Sequence, residues 1–548
     1  MSLNASMQIA VNGLNVFRSA TAVVSQNISN VSTPGYTRQK AIVETAPTIN
    51  LSGFTLGSGA MISKIERFHD ALLQQQLANS NTTLGYDTAK STVLQQIEPA
   101  FNDIGTDGVG ASLAHFFAAW QDLTNNPGGF AERQSVLSNA QILADDLHAA
   151  SKTLTDMISL QNDSLAPVID DINIKLKEIA RLNQQVTTTE MVSGNANEVK
   201  DKRDLLLLQL AKQVGITSTE NSDGTVDVKL VGSGKVLVTG ANAGAFSLDK
   251  TDPNSYKVEL IPAKGTIVDI TDITATLSTG SLGATLALRD DIIPNDYLKK
   301  LNTLATSLAE KINAKHKEGY DLSDPPVLGK DFFMPFTKDK TGSIDDGTNI
   351  VKNVDVTGLR VGMEVTGVAA DRKIFIGSII DTGDPLTSSF TLVDANRVSF
   401  NVSPAVSTFT FPDASASAFF SIDPLMTTAT IAASSPGTLA GTSSGDNLKA
   451  VEIAGFANQR LMDGNLTFNG YWNALISKMG LDVNSSKTNV AQDEAFNNQL
   501  SVLKDSTAGV SLDQELSDMM MYQRSYQACA QVISTAAAMM DVVLGIVH

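Results

Sequence analysis

The chain has 548 residues, with 40 Lys or Arg against 58 Asp or Glu, and a formal net charge of −18. This length exceeds what one hydrophobic core supports, so several domains are expected. The acidic balance, without a basic stripe, argues against a nucleic-acid binder, and the single cysteine, Cys529, excludes an internal disulfide framework.

The first 31 residues carry the pattern of one long helix with a wide apolar face. Apolar side chains recur at alternating spacings of four and three, which is a heptad seam with Thr21 as its polar exception. The seam consists of Leu3, Met7, Ala10, Leu14, Phe17, Val24, Ile28 and Val31. A second seam runs beside it through Ile9, Gly13, Val16, Ala20 and Val23. The combined face is too wide for one partner, so this helix is expected to pack against several neighbours.

A turn motif ends this helix. Pro34 disfavours helix at Thr33 and lacks an amide donor, and Gly35 tolerates a positive φ. The motif consists of Asn27, Asn30, Thr33, Pro34, Gly35 and Tyr36. Because no basic flank precedes the apolar stretch, we expect neither a cleaved signal peptide nor a membrane span. We assign residues 1–68 to an N-terminal assembly helix and an extended arm with a hairpin, since short alternating segments mix with glycine after the motif.

The middle of the chain alternates between helical and extended patterns. The helical period of residues 69–214 predicts the first part of a helical-bundle middle domain. Residues 215–285 switch to a period of two, which predicts a β-rich insertion. Helical patterns return in residues 286–325 and 446–510, which we assign as the second and third parts of the middle domain. Between them, residues 326–445 predict an outer β-rich domain punctuated by glycine, serine and proline.

Residues 511–548 repeat the heptad pattern as a C-terminal assembly helix, with Gln523 as the polar exception. The first seam here consists of Leu512, Leu516, Met519, Tyr526, Ala530, Ile533, Ala537, Met540 and Leu544. A second seam consists of Tyr522, Ser525, Cys529, Val532, Ala536, Met539, Val543 and Ile546. Residues 1–68 hold five basic against two acidic side chains and residues 501–548 hold two against five, so the two ends attract each other. We expect the seams to form an assembly interface, with each helix frayed or disordered before assembly.

Together these patterns predict a multidomain α+β protein. The terminal heptad helices form a coiled-coil-like inner domain, a helical-bundle middle domain is built from discontinuous segments, and β-rich insertions lie outside. Insertions far from both ends of the sequence can project outward without interrupting the packing of the terminal helices.

Several segments resemble enzyme motifs but lack the neighbouring residues or elements that those motifs require. Ser443 sits in a G-x-S-x-G pattern, but a loop rich in proline and serine precedes it, and the only later histidine is His548. The segment from Gly232 to Lys235 lacks the first glycine and the hydroxyl residue of a phosphate loop and instead predicts a hairpin turn. The five histidines show no metal-ligand spacing, and adjacent carboxylates on a helix point apart. We therefore expect no catalytic residue, no cofactor and no metal.

Several blocks of the chain resemble the flagellar rod, hook and hook-associated family. QNISNVSTPGYTRQ, Gln26–Gln39, resembles the family's N-terminal signature, and SLDQELSDMMMYQRSYQACAQVISTAAAMMDVVL, Ser511–Leu544, resembles its C-terminal helix. Within the family, the form TPGYTRQ is closer to the hook-associated members than to the hook protein. The block Gly280–Leu322 and the short sequence Gly445–Asn447 favour the same group.

This resemblance implies a structural adaptor rather than an enzyme, placed outside the cell at the junction of hook and filament. Its implied partners are its own copies in an axial array, the hook protein and the next hook-associated protein, with no nucleic acid and no membrane. It also implies export by the flagellar type III apparatus without a cleaved signal peptide, aided by an export chaperone on the C-terminal helix. The apolar stripe of that helix predicts chaperone contacts through Leu516, Met519, Tyr526 and Ile533. A hook or rod subunit, and outside the family a secreted adhesin or hydrolase with β modules, stay as alternatives.

Overall fold

The computed structural model describes most of the chain. The described residues are 3–51, 54–101, 108–252, 255–263, 271–323, 326–336, 339–344, 348–354, 356, 359, 364–365, 374–380, 382, 387–394, 405–410, 416–435 and 445–547. At Leu3 and Leu544, among other positions, the description covers the backbone alone, so the contacts expected of these two side chains lie outside it.

The N-terminal part is one helix followed by an extended arm. Helix α1 (Leu3–Ser29) ends before Pro34, and the turn that follows has Gly35 at a φ of 80°. The arm comprises β1 (Gln39–Thr45), β2 (Ile49–Leu51), β3 (Phe54–Leu56) and β4 (Ala60–Arg67). Strand β1 pairs with β4 and β2 pairs with β3, both antiparallel, so one hairpin is nested inside the other.

Four long helices begin the middle of the molecule. They are α2 (Ala71–Ile97), α3 (Val109–Asn125), α4 (Phe130–Ser193) and α5 (Asn197–Gln213). Helix α4 has 64 residues, which makes it roughly 100 Å long. Its apolar side chains Leu165, Ile172, Leu176 and Ile179 are fully buried against α5 and the strands that follow.

A β insertion of two small sheets lies against α4. The strands are β5 (Ile216–Glu220), β6 (Val226–Leu230), β7 (Val236–Thr239), β8 (Asn242–Ala243), β9 (Ala245–Asp249), β10 (Lys257–Ile261) and β11 (Thr271–Asp272). The sheet orders are β5-β6-β7-β8 and β11-β10-β9. The segment from Gly232 to Lys235 turns the chain between β6 and β7, as the sequence predicts for a hairpin. Asn183 of α4 bonds both the backbone N–H and C=O of Val226, at 3.0 and 2.8 Å, which joins helix and sheet.

Helix resumes at Gly280, earlier than the predicted residue 286. Helix α6 (Gly280–Ala287) runs through a π-helical segment (Leu288–Leu298) into α7 (Lys299–His316). Gly280 has a φ of 69°, and a Cβ there would lie 2.5 Å from the carbonyl oxygen of Gln213, so this helix entry requires glycine. The boundary moves because the short α6 is buried on nearly every side, which leaves no polar face to mark it as a helix.

The outer insertion is a six-stranded antiparallel sheet. Its strands are β12 (Asp339–Ile344), β13 (Ile350–Lys352), β14 (Glu364–Val365), β15 (Ile374–Ile380), β16 (Ser389–Asp394) and β17 (Ala405–Thr410), in the order β14-β15-β16-β13-β12-β17. Phe390 and Phe409 pack edge to face inside it, with ring centroids 5.8 Å apart. The sheet thus has a hydrophobic core of its own, separate from the helical core.

The chain on either side of this sheet belongs to the helical core. Phe332 and Phe333 before it and Phe420 after it are fully buried among the helices. The ring centroids of Phe333 and Phe420 are 4.4 Å apart. The outer domain is therefore shorter at both ends than the predicted range 326–445, because these aromatic side chains pack inward.

The remaining helices return to the body and then to the N-terminus. They are α8 (Ala416–Phe419), α9 (Leu448–Gly455), α10 (Phe468–Ala508) and α11 (Leu512–Val547). Trp120 and Trp472 are buried at the centre of the helical core. Helix α10 packs along α2, and α11 packs along α1.

His316 connects the two flanks of the outer sheet. Its Nδ1 donates to the carbonyl of Lys330 at 2.6 Å, and its Nε2 accepts from the amide of Ala432 at 2.8 Å. An accepting Nε2 requires the neutral imidazole. Burial, assisted by the Arg133 charge and opposed by the Lys330 hydrogen bond and Asp331, lowers the pKa of His316 to about 4. The folded state therefore holds this proton less tightly than the unfolded chain, whose histidine pKa is about 6.5.

Acidification is expected to destabilise the helical body through His316. The unfolded chain binds more protons below about pH 6.5, so stability falls as the pH drops toward 4, by about 2 kcal/mol at pH 5. His316→Gln is expected to lower the melting temperature at neutral pH and to weaken its dependence on acid. Thermal melting at about pH 7 and pH 5 measures both effects. His115→Gln, at an exposed position on α3, is the control, and an equal acid dependence in the two variants would contradict the assignment.

Candidate assembly interface

The terminal helices lie side by side within one chain. A Cβ at Gly13 would lie 2.9 Å from the Sγ of Cys529, so the missing side chain permits a close approach. The rings of Phe17 and Tyr522 have centroids 6.3 Å apart. Residue numbers rise along α1 as they fall along α11, so the two helices are antiparallel. The sequence predicts terminal helices that are frayed and have no fixed partner in the single chain, but in the structure each helix is the partner of the other.

The contact on α1 follows mainly the second predicted seam. Val16, Ala20 and Val23 of that seam are buried. The first seam divides into three groups: Ala10 and Val24 are buried, Met7, Leu14, Phe17 and Ile28 are half-buried, and Val31 is exposed. Much of the first seam therefore keeps a surface for another neighbour.

The contact on α11 runs between its two predicted seams. The side chains turned toward α1 are Glu515, Met519, Tyr522, Cys529, Ile533, Ala536 and Met540, all buried or half-buried. Of the other first-seam positions, Ala530 is half-buried, and Leu512, Leu516, Tyr526 and Ala537 are exposed. At 100° per residue, α1 covers the border between the two seams and leaves the outer side of each seam open.

Two apolar flanks of α11 are therefore exposed in the single chain. One flank carries Leu512, Leu516 and Met520, which are 45, 48 and 56% exposed. The other carries Met521, Val532 and Met539, which are about equally exposed. Polar side chains such as Ser517, Arg524 and Gln531 separate the flanks on the side opposite α1. Large apolar side chains exposed in rows are typical of a protein interface.

A buried polar joint, formed by Asn27, Arg38, Gln39 and Glu515, sets the register of the two helices. The Asn27 Nδ2 donates to Glu515 Oε2 and to the Gln39 carbonyl, both at 2.8 Å. Its Oδ1 accepts from the Gln39 amide at 3.0 Å and from the Tyr36 hydroxyl at 2.9 Å. Arg38 Nε lies 2.5 Å from Glu515 Oε1. Every hydrogen-bonding atom of the Asn27 side chain is thus used, in a fully buried position.

Glu515 accepts hydrogen bonds at the centre of the joint. Its side chain is 1% exposed, and its two oxygens accept from Arg38 Nε and Asn27 Nδ2. Arg38 also reaches Asp518 at 3.3 Å. Burial and the nearby charges of Asp201, Glu198 and Glu515 raise the pKa of Tyr36, so its hydroxyl stays protonated and keeps donating.

The turn motif connects the helix pair to α5 of the helical body. Asp201 of α5 accepts from the Thr37 amide at 2.9 Å and from the Thr37 hydroxyl at 2.6 Å. Arg67 at the end of the arm pairs with Asp201 at 2.9 Å and with Asp204 at 2.7 Å. Within the motif, Thr33 donates to Asn30 at 3.1 Å. A Cβ at Gly35 would lie 3.1 Å from Leu205, and its positive φ also favours glycine.

Sequence reasoning missed most of this joint. It singles out Asn27 and Tyr36, but not Glu515, to which Asn27 donates. Nor does it single out Asp201 and Asp204, which pair with Arg67 beside the joint. One signal was available, since Glu515 is a charged residue positioned between two apolar seams. The acidic side chains of α5 carry no comparable signal.

Other candidate chemistry finds no support in the described ranges. There, no three or more His, Cys, Asp or Glu gather in a way that could hold a metal ion. No helix among the described residues is both long and apolar enough to cross a membrane. Ser443 and His548, the candidates for a nucleophile elbow and its base, lie outside the described residues.

Three family models match the chain. The model described as the flagellar hook-associated protein FlgK helical domain matches residues 94–333. The flagella basal body rod protein model matches residues 7–37, and the flagellar basal body rod FlgEFG protein C-terminal model matches residues 505–546. Together they span more than half of the chain.

Curated relatives match over nearly their whole length. Flagellar hook-associated protein 1 of Salmonella typhimurium is 28% identical, with 98% of this chain and 99% of that protein covered. The Escherichia coli protein of the same name is 28% identical, with 98% of each covered, and that of Bacillus subtilis is 22% identical, with 98% and 97% covered. Over nearly its whole length, the chain is similar to proteins named flagellar hook-associated protein 1.

The fold is similar to that of a solved structure. The structure of the flagellar hook junction protein FlgK from Burkholderia pseudomallei covers 80% of this chain and 100% of its own, with a TM-score of 0.60 and 17% identity. This similarity confirms the predicted fold class, a multidomain α+β protein. Asn27 and Glu515 both fall within segments of this chain that match the basal body rod models.

Proposed function

We propose that this protein is a structural adaptor of the bacterial flagellum, located outside the cell at the junction between hook and filament. The observation that carries the proposal is the match, over nearly its whole length, to relatives named flagellar hook-associated protein 1. That full-length match favours the junction over the alternatives of a hook or rod subunit and a secreted adhesin. The role is one of assembly and not of catalysis.

We also propose that the protein assembles with its own copies, with the hook protein on one side and with the next hook-associated protein on the other. The two exposed flanks of α11 support this, because a helix covered on one side only can bury apolar surface against two further neighbours. Contacts that join copies head to tail generate rings or open helical arrays, as an axial structure needs. The interface residues are those of the two terminal seams.

Labelling a flagellum with an antibody against the outer sheet tests the location. A label confined to the boundary of hook and filament is the expected result. A label along the whole hook, or along the rod, would support the alternative of a hook or rod subunit. Cells that lack the protein are expected to make hooks without attached filaments, and expression of the intact chain is expected to restore them.

Export by the flagellar type III apparatus with a chaperone on α11 is the remaining part of the proposal. With α1 in place, Leu516 and Tyr526 are exposed, whereas Met519 and Ile533 are partly covered. A chaperone that contacts all four must therefore displace α1 from α11. A chain that ends at Gly509 is expected to lose chaperone binding, and undiminished binding by that chain would contradict this part of the proposal.

The outer sheet is expected to be dispensable for attachment of the filament. Phe336 and Phe420, on its two flanks, have ring centroids 6.4 Å apart, so a short Gly/Ser linker in place of residues 337–415 can close the gap. Motile cells with attached filaments are the expected result. The control deletion, residues 326–445, also removes Phe332 and Phe333 from the helical core and is expected to unfold the body. Loss of attachment by the shorter deletion, with the protein folded and exported, would show that the sheet contacts a neighbour.

A further inference from the structure

Helices α2 and α10 form a long antiparallel contact that leads toward the assembly helices. Leu73 and Leu77 of α2 pack against Leu500 of α10. Further along, the Asn497 Nδ2 of α10 donates to the Ser80 Oγ of α2 at 3.1 Å. Helix α2 follows the arm, and α10 runs directly into α11 at Gly509. The contact thus holds both connections between the helical body and the terminal helix pair.

One carboxylate oxygen in this contact has no donor among the described residues. The Oδ2 of Asp493 on α10 is shielded from solvent, and no N–H or O–H of the described residues donates to it. The antiparallel register of the two helices, marked by the Asn497–Ser80 hydrogen bond, brings it beside Asp87 on α2, whose carboxyl acts on it through a hydrogen bond and charge. Two carboxyl groups can form a hydrogen bond only when one of them carries a proton. Two ionised groups in that place would repel each other across the helix contact.

We propose that Asp87 and Asp493 share one proton and that this proton controls the packing of α10 on α2. With the proton present, one carboxyl O–H donates to the other carboxylate and the helices stay closed. When the proton leaves to solvent, two negative charges face each other and the contact loosens. The pair is therefore a pH-sensitive clamp on the connections to α1 and α11.

The surroundings of the pair support this behaviour. Burial, followed by the hydrogen bond and charge of Asp87, raises the pKa of Asp493 to about 6. The charged and titratable groups nearby on packed elements are Tyr86 and Lys90 of α2, Lys212 of α5, Asp291 of the π-helical segment, and Asp482 of α10. Lys90 acts on Asp482, and Tyr86 lies close to Asp87 and Asp291. Of the charged and titratable groups around Asp493, Asp87 is the one that, together with burial, raises its pKa.

The raised pKa of Asp493 determines how the stability of the folded chain depends on pH. The folded chain binds the proton more tightly than the unfolded chain, whose aspartate pKa is about 3.9. The stabilisation is therefore fully present in acid and is lost as the pH rises through about 6. This direction is opposite to that of His316, so the two residues are distinguishable in one pH series.

The test is thermal melting of the full chain between about pH 5 and pH 8. Asp493→Asn provides a side-chain N–H that donates to Asp87 at every pH. We expect it to raise the melting temperature at pH 8 by about 3 °C relative to the natural chain. At pH 5 we expect the melting temperature to change little. Asp87→Asn is expected to act alike, and the double variant to add nothing further. Glu494→Gln, which removes an exposed neighbouring charge on α10, is the control.

Hydrogen exchange provides a second measurement that does not depend on global melting. In the natural chain, amide protection in residues 497–508, corrected for intrinsic rates, is expected to decrease between pH 5 and pH 8, and in Asp493→Asn to stay constant. If Asp493→Asn and the natural chain differed in melting temperature by the same amount at pH 5 and at pH 8, the proposal would be overturned. A rise in melting temperature at pH 8 on addition of Ca²⁺ that Asp493→Asn abolishes would also overturn it, since the pair would then hold a cation instead of a proton.

Discussion

Leu516→Asp is expected to abolish attachment of the filament without unfolding the single chain. Leu516 is 48% exposed on one flank of α11, and it lies outside the face that α1 covers. A carboxylate there keeps its hydration in the single chain. In an array that buries this flank, the same carboxylate loses water without gaining a partner, which costs several kcal/mol in every copy. The apolar burial of Leu516, worth about 1.5 to 3 kcal/mol, is lost as well.

Two measurements on this variant separate assembly from folding. Melting of the purified chain is expected to match that of the natural protein, while a motility assay and electron microscopy are expected to show hooks without filaments. Ser517→Asp adds the same charge on the polar side of α11 and is expected to leave cells motile. Attached filaments in Leu516→Asp, or an early melting transition of its purified chain, would show that this flank is not an assembly surface.

The second large effect is expected at the polar joint. Glu515→Ala removes a fully buried carboxylate, so Arg38 loses its shorter ion pair and one N–H of Asn27 loses its acceptor. Breaking a buried pair by removing one partner costs about 3 to 5 kcal/mol. The expected result is that α1 separates from α11 while the helical body, which has its own core, melts at its usual temperature. Filament attachment is also expected to fail in the Glu515→Ala variant.

Limited proteolysis measures the separation of α1 from α11 directly. Cleavage at Arg18 on α1 is expected to be slow in the natural chain and fast in Glu515→Ala. Asp513→Ala, at an exposed carboxylate in the same helical turn, is the control and is expected to cleave slowly. In a double-mutant cycle, Arg38→Ala with Glu515→Ala is expected to cost less than the sum of the single changes, because the two side chains stabilise the same contact. Strict additivity would mean that the ion pair does not hold the helices together.

The sequence by itself determined the features that depend on near neighbours. The spacing of apolar residues determined two terminal helices, since a helix repeats its face every three to four residues. Pro34 and Gly35 determined where α1 ends. Alternation around Gly232 and Gly234 determined the β6–β7 hairpin. Two seams on each terminal helix also indicated more than one neighbour, and the exposed flanks of α11 agree with that expectation.

Only the tertiary structure decided which residues meet across long stretches of chain. The sequence pattern assigns Phe332, Phe333 and Phe420 to a β-rich segment, but the three side chains pack into the helical core. The limits of the outer sheet therefore lie further inward than predicted. Asn27 and Glu515 are 488 positions apart, and no local period relates them. Their hydrogen bond exists because the antiparallel pairing of α1 with α11 brings the end of one helix to the start of the other. A buried carboxylate is stable only where such partners converge, and that convergence is a property of the folded chain.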